Sequence, residues 1–352
     1  MSESNYKNFN HLKTHSQYSI CEGAIKIDEL ADYCKANKVK AIGLTDSYNL
    51  CGALEFAEKI SKVGTQPIIG TQINILSDNQ IGKITLYAIS EKGYKNLTKL
   101  SSLSYLKNQN QYDPCCSIDD LILNNEDLIL LTGSYNNFFG KLFYANKTKY
   151  FEKIIEKLKS SFKDRIYVEI LRHAESQETI YENYLLKISS RFNLPLIAGQ
   201  EVYYLTPEMA EAHDALICIG EKQFIDDQNR FRYSNQHYLK KSEELKKLYE
   251  DIPEALENNY NFPLRFNFKP KKSKPILPSI SNDKDISPEK ELMNQAKQGL
   301  KDRLNNFILK KNKEKSSEEI KKLYEDRLLH EIEIINSMDY SSYFLIVSDY
   351  IK

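Results

Sequence analysis

The chain has 352 residues, enough for one large α/β barrel with an appended piece or for two ordinary domains, and its 49 Lys and Arg balance its 49 Asp and Glu. That balance excludes a global basic field, so any contact with nucleic acid needs a local patch or other parts of a larger protein. The apolar runs LILL and YFLIV fall far short of the roughly 20 residues that span a bilayer, and residues 1–10 lack the apolar core of a signal peptide, so no membrane partner and a cytoplasmic location are expected.

In chain order, short β-rich runs alternate with segments of helical period from residue 9 to 220, the pattern of a parallel sheet wrapped by helices. Strands are predicted at Asn10–Thr14, Lys40–Thr45, Pro67–Leu76, Lys83–Ile89, Asp127–Leu131, Arg165–Leu171 and Pro195–Ala198. Helices are predicted between them at Ile27–Asn37, Leu50–Lys62, Gly93–Leu106, Tyr150–Phe162, Glu178–Phe192 and Pro207–Ile219. Seven such units approach a closed α/β barrel, whose chemistry would sit at the carboxyl ends of the strands. From Glu221 to Phe268 the pattern is irregular, with short helices at Ser242–Tyr249 and Pro253–Asn258. The stretch FKPKKSKPILPSISNDKDISP reads as a linker. It sets a first domain at residues 1–275, a linker at 276–287 and a mainly helical second domain at 288–352. In that second domain Pro288–Leu304 and Ser316–Met338 are predicted amphipathic helices, the latter opening on SSEE in the manner of a capping box. The chain stops within YFLIVSDYIK, an apolar segment that calls for something further to pack against, so a fragment is expected.

Six cysteines, Cys21, Cys34, Cys51, Cys115, Cys116 and Cys218, are scattered without a CxxC pair and read as reduced thiols. The stretch FNHLKTHSQYSICEG is more suggestive, because positions 13 and 15 of a strand share a face and two imidazoles there could hold a cation. One of the two is Lys13, and the other is His15.

Taken together, HLKTHSQYS, AIGLTDSYNLCG, PIIGTQINI, GYKNLTKL and DIPEAL, in this order, resemble the N-terminal part of the alpha subunits of bacterial DNA polymerase III, the C-family replicative DNA polymerases. The terminal YEDRLLHEIEIINSMDYSSYFLIVSDYIK is similar to the start of that family's palm, with Asp339 standing where the family has Gly. The resemblance implies a PHP domain, a seven-stranded (β/α) barrel, followed by the beginning of the polymerase palm. In metal-bearing PHP domains nine side chains at the strand ends hold metal ions that hydrolyse phosphoesters.

Carried over position by position, the resemblance puts Lys13 and His15 at the opening HxH motif, Glu22 at the following acid, and Asp46 with Ser47 at the TDH motif. It puts Gln72, Lys83 and Ser134 at three further ligand seats, and Glu201 with Tyr203 at the final motif. Only His15, Glu22 and Glu201 keep ligand chemistry, so no catalytic residue and no metal site are expected here. His173 and His213 fall on flanking elements, and Asp46 is expected to anchor the turn before the helix at Leu50. Glu169 reads either as a solvated strand residue or as a partner for the lysines. Acids gathered around a lost cation repel one another, so Lys13 and Lys83 are expected to neutralise a structural cluster of Glu22, Asp46, Glu169 and Glu201.

The resemblance further implies a DNA-directed DNA polymerase, a nucleotidyltransferase needing Mg2+, whose catalytic aspartates lie outside this chain, so that the piece itself needs no cofactor. The implied partners are a proofreading exonuclease, other replicase subunits and primer-template DNA held by the rest of the protein. A working metal-dependent PHP phosphoesterase or 3′–5′ exonuclease is the alternative, and a free-standing interaction protein is a third.

Overall fold

In the computed structural model residues 8–107, 113–273, 286–311 and 316–351 are described. The boundary expected near residue 275 and most of the expected linker lie outside them. The chain divides into two compact units, residues 1–272 and 273–352.

The first unit is a barrel-like sheet of nine strands: β1 (His11–Thr14), β2 (Ala41–Leu44), β3 (Gln66–Ser77), β4 (Gln80–Ala88), β5 (Cys115–Cys116), β6 (Leu128–Leu131), β7 (Ile166–Leu171), β8 (Leu196–Gly199) and β9 (Glu201–Val202). Their order is β8-β7-β6-β4-β3-β2-β1-β9, with β5 beside β3. β8 and β9 are two halves of one strand broken at Gln200, the first half bonded to β7 and the second to β1, which brings the two ends of the sheet together.

A purely parallel sheet does not form. β4 runs antiparallel to both β3 and β6 because Asp78 and Asn79 join β3 to β4 as a two-residue turn, with φ of 49° and 59°. Positive φ at both central positions is the requirement of the hairpin turn that matches strand twist, and Asp and Asn tolerate it. The helices Ile118–Leu123 and Phe138–Tyr144 were not visible as periodic segments, being too short to show a 3.6-residue pattern. The helix expected from Leu50 starts at Ala53, capped by Gly52 without a side-chain bond.

Outward-facing strand residues such as Ile73, Leu86, Leu130, Val168 and Ala198 pack against the surrounding helices. Inside the barrel, Leu12, Ile68, Tyr87, Ile129, Tyr167 and Ile197 form an apolar layer that Phe262 and Phe266 close from below. β1 carries one more residue than β2 between His11 and Thr14. Such a bulge interrupts the alternation of faces, so Leu12 joins the apolar layer while Lys13 still reaches the polar mouth above it. The same close approach requires Gly43, where a Cβ would lie 2.0 Å from the Leu12 carbonyl oxygen.

Below the break in the last strand, β8 and β1 are joined by a side chain. Asn259, fully buried on helix Pro253–Asn261, accepts from the Asn10 amide at 2.8 Å and donates to the Asn10 and Ala198 carbonyls, each at 2.9 Å. It thus supplies the rungs that a continuous ladder would have made. Asn259→Ala strands those groups in the interior, and chemical denaturation should show a loss of about 3 kcal/mol or more.

The second unit is helical. Helix Pro288–Arg303 packs against both Ser317–Ser337 and Ser341–Ile351. A π-helical turn at Leu304–Ile308 follows the first. Ser316 caps the second through the Glu319 amide, which is one half of the expected capping box.

Candidate functional site: a charge cluster at the barrel mouth

The polar layer is built on β1, β7 and β9. Lys13 on β1 has no solvent exposure, and its Nζ lies 3.1 Å from Glu169 Oε2 on β7 and 3.5 Å from Glu201 Oε1 on β9. Parallel register sets Lys13 directly beside Glu201. The same Glu201 oxygen meets His15 Nε2 at 3.2 Å and accepts from Gln72 Nε2 at 2.6 Å, while the Glu201 amide donates to His173 Nε2 at 3.1 Å. Burial alone would raise the Glu201 pKa, but Lys13 and then His15 draw it well below the ordinary carboxylate value. Burial likewise opposes the Lys13 ammonium, yet Glu169 and Glu201 together outweigh it and hold its pKa above the ordinary lysine value. Glu169 is pushed up by burial, with Lys13 only partly offsetting it.

A second group stands beside the first. Lys83 on β4 donates to both Glu22 oxygens, at 2.6 and 2.7 Å, and to Ser47 Oγ at 3.0 Å, with the Tyr48 ring 5.0 Å away. Burial of Glu22 is outweighed by Lys83, which lowers its pKa.

Asp46 contacts neither lysine. It accepts from the Ser16 amide and hydroxyl and from Ser19 Oγ, so it ties down the loop after β1 and leaves the turn before the next helix to other groups. Burial raises its pKa, against those serine bonds. Ser134 bonds Asn136, and the Tyr203 ring stacks on His15 with centroids 4.4 Å apart.

The two histidines expected on flanking elements reach the cluster from them. His173, just after β7, receives the Glu201 amide, and His213, on helix Ala210–Glu221, meets the Glu22 carbonyl at 2.8 Å. Sequence reasoning missed His237, which stacks on His173 with centroids 4.0 Å apart and faces the Glu201 carbonyl through Nδ1 at 3.1 Å. Its neighbourhood, SNQHYLK, carries no local signal. It arrives because Tyr203 donates to the His237 carbonyl and Leu239 to the Tyr204 carbonyl, laying that segment beside β9.

Ser19, His15 and Glu201 stand in the sequence of contacts of a nucleophilic triad. Ser19, however, is fully buried and donates its hydroxyl hydrogen bond to Asp46 instead of to His15, so it presents no nucleophile. Nor does the donor set fit a metal ion. A cation shared by Glu169 and Glu201 would have to displace the Lys13 ammonium, and among the described residues no group of three or more His, Cys, Asp or Glu side chains converges to hold one.

The PHP domain family model matches residues 11–173, and the model described as bacterial DNA polymerase III alpha NTPase domain matches residues 290–352. The DNA polymerase III subunit alpha of Caulobacter vibrioides is 36% identical over the whole of this chain, and that of Rickettsia bellii is 37% identical over 98% of it. The chain belongs to the bacterial DNA polymerase III alpha family. It spans 31% of the Caulobacter relative and 29% of the Rickettsia relative. Among solved structures, an amidohydrolase from Chromobacterium violaceum aligns with 55% of this chain and 87% of its own at 12% identity and a TM-score of 0.38, too distant a likeness to bear on chemistry. No helix among the described residues is long and apolar enough to cross a membrane.

In the family's barrel, Lys13, Ser47, Gln72, Lys83, Ser134 and Tyr203 stand where the resemblance places metal ligands. Two of the six carry ammonium groups already bonded to carboxylates.

Proposed function

We propose that this chain is part of a replicative DNA polymerase alpha subunit in which the barrel works as a metal-free scaffold. The observation that carries this reading is the Lys13 ammonium shared between Glu169 and Glu201, fully buried at the mouth where the family's cations would sit. The barrel braces the polymerase core and docks the proofreading exonuclease. Nucleotidyl transfer to primer-template DNA, with Mg2+ held by carboxylates, belongs to the remainder of the protein, where paired metals stabilise the attacking and leaving oxygens.

Elemental analysis of the dialysed chain tests the scaffold directly. Zinc, manganese and iron are expected far below stoichiometric, with no chelator-sensitive hydrolysis of a nitrophenyl phosphate ester and no primer extension. Two equivalents of metal with chelator-sensitive hydrolysis would instead establish a working phosphoesterase.

A further inference from the structure

Lys13 serves only one side of Glu169. Its Nζ meets Oε2, whereas Oε1 has no hydrogen-bond partner among the described residues, the nearby Gly133 amide lying outside hydrogen-bond geometry. A carboxylate has about four lone-pair positions, and leaving one oxygen bare in the interior is costly. The Tyr181 hydroxyl is in the same condition: 3% exposed, on helix Glu178–Phe192, and without a partner. Glu169 and Tyr181 are both among the residues that line one small pocket of about 10 Å³, together with Gly133, Ser134 and Glu178. That is the size of a single water, too small for a substrate or a hydrated ion.

The charges around the cavity narrow the occupant. Glu178 is spent on the His173 and Glu175 amides and on His173 Nδ1. Glu182 is held by Arg172 at 2.5 Å. No wall group therefore needs an extra cation except Glu169, which has Lys13. What the cavity lacks is one donor for Glu169 Oε1 and one acceptor for the Tyr181 hydroxyl, and a water molecule is both.

We propose that this cavity is a structural water site, the water donating to Glu169 Oε1 and accepting from the Tyr181 hydroxyl. The charge cluster then consists of two tethered ammonium groups and one internal water. The water completes on Glu169 the bonds that a single ammonium cannot reach. The site stands whether or not the barrel is a scaffold, since it rests on Glu169 and Tyr181 alone.

Two measurements decide it. A crystal structure of the chain should show a density peak within hydrogen-bond distance of both oxygens, with no anomalous signal there after exchange into thallium. A thallium peak would make the occupant a monovalent cation and overturn the proposal, as would a collapsed cavity without a peak. The second readout is the sign of Tyr181→Phe. Removing a hydroxyl that truly has no partner leaves the denaturation midpoint equal or higher, whereas removing one that holds a water lowers it. A lower midpoint is expected, and an equal or higher one refutes the site.

Discussion

Lys13→Ala should lower the stability of the chain by about 3–5 kcal/mol, the usual cost of removing one partner from a buried ion pair. The loss has little to do with the aliphatic stem. Glu201 would keep His15 and Gln72, but Glu169 would lose its only ionic partner among the described residues, at a site with no solvent exposure. A denaturant titration of three comparisons separates this cause from a packing defect. Lys99→Ala, an exposed lysine on helix Glu91–Leu106, should change stability by no more than about 0.5 kcal/mol. Lys83→Ala should cost less than Lys13→Ala, because Lys83 retains 16% exposure and Glu22 24%, so water can partly replace the ammonium. Lys13→Met combined with Glu169→Gln removes both charges and should recover most of the loss. If the double substitution is as damaging as Lys13→Ala, the lysine matters through its volume and the electrostatic account fails.

The second large effect is a loss of stability in mild acid. His11, His173, His213 and His237 are buried, and burial lowers each pKa from 6.5 to about 4. Each therefore binds a proton more readily in the unfolded chain, so unfolding takes up protons between those two values and stability falls as the pH drops through that window. Asp46, Glu169 and Glu178, whose pKa values are raised, work in the opposite direction, and Glu22 and Glu201, whose values are lowered, add to the loss at still lower pH. Four imidazoles against three carboxyls leave a net loss on the order of several kcal/mol. Denaturation midpoints measured from neutral pH downward should fall steeply below about pH 6.5, and His237→Gln should reduce the proton uptake on unfolding by about one. A flat profile across the window would show that the imidazoles are solvated.

Much of the barrel was legible because its strands are short apolar runs separated by amphipathic helices, and those two periods are hard to confuse at this length. Helix Glu178–Phe192 has the predicted limits, and all seven predicted strands overlap observed ones. The direction of β4 was not read, although it was written locally, in the two residues Asp78 and Asn79. β9 escaped because a two-residue strand has no period to detect. At the site, Lys13, Lys83 and Glu169 lie within predicted strands, so their place in the sheet could be read, whereas Glu22 lies in the loop after β1 and Glu201 on the unpredicted β9. Asp46 directly follows a predicted strand, but its partners Ser16 and Ser19 lie in an irregular loop. His237, Tyr249 and Asn259 enter from the segment whose pattern is weakest, and their contacts span the whole barrel, as when the Tyr249 hydroxyl binds the Ile170 and Gly199 carbonyls. Pairings of that separation leave no trace in any sequence window.

The Asn259 bridge has a consequence for synthesis. Asn10 lies 249 residues before the side chain that satisfies it. A ribosome adds about 5–20 residues per second, so the start of the chain waits on the order of ten seconds or more with one side of its first strand open. Contacts of such long separation also carry the largest loop-closure cost and form late. Translation of this barrel therefore passes through an obligatory stage in which a nearly complete sheet has one unpaired seam, the kind of edge that recruits neighbouring nascent chains on a polysome. Anything that slows elongation between Ala198 and Asn259 prolongs that stage, so codon choice over a stretch far from the charge cluster bears on how much of the protein reaches its folded state.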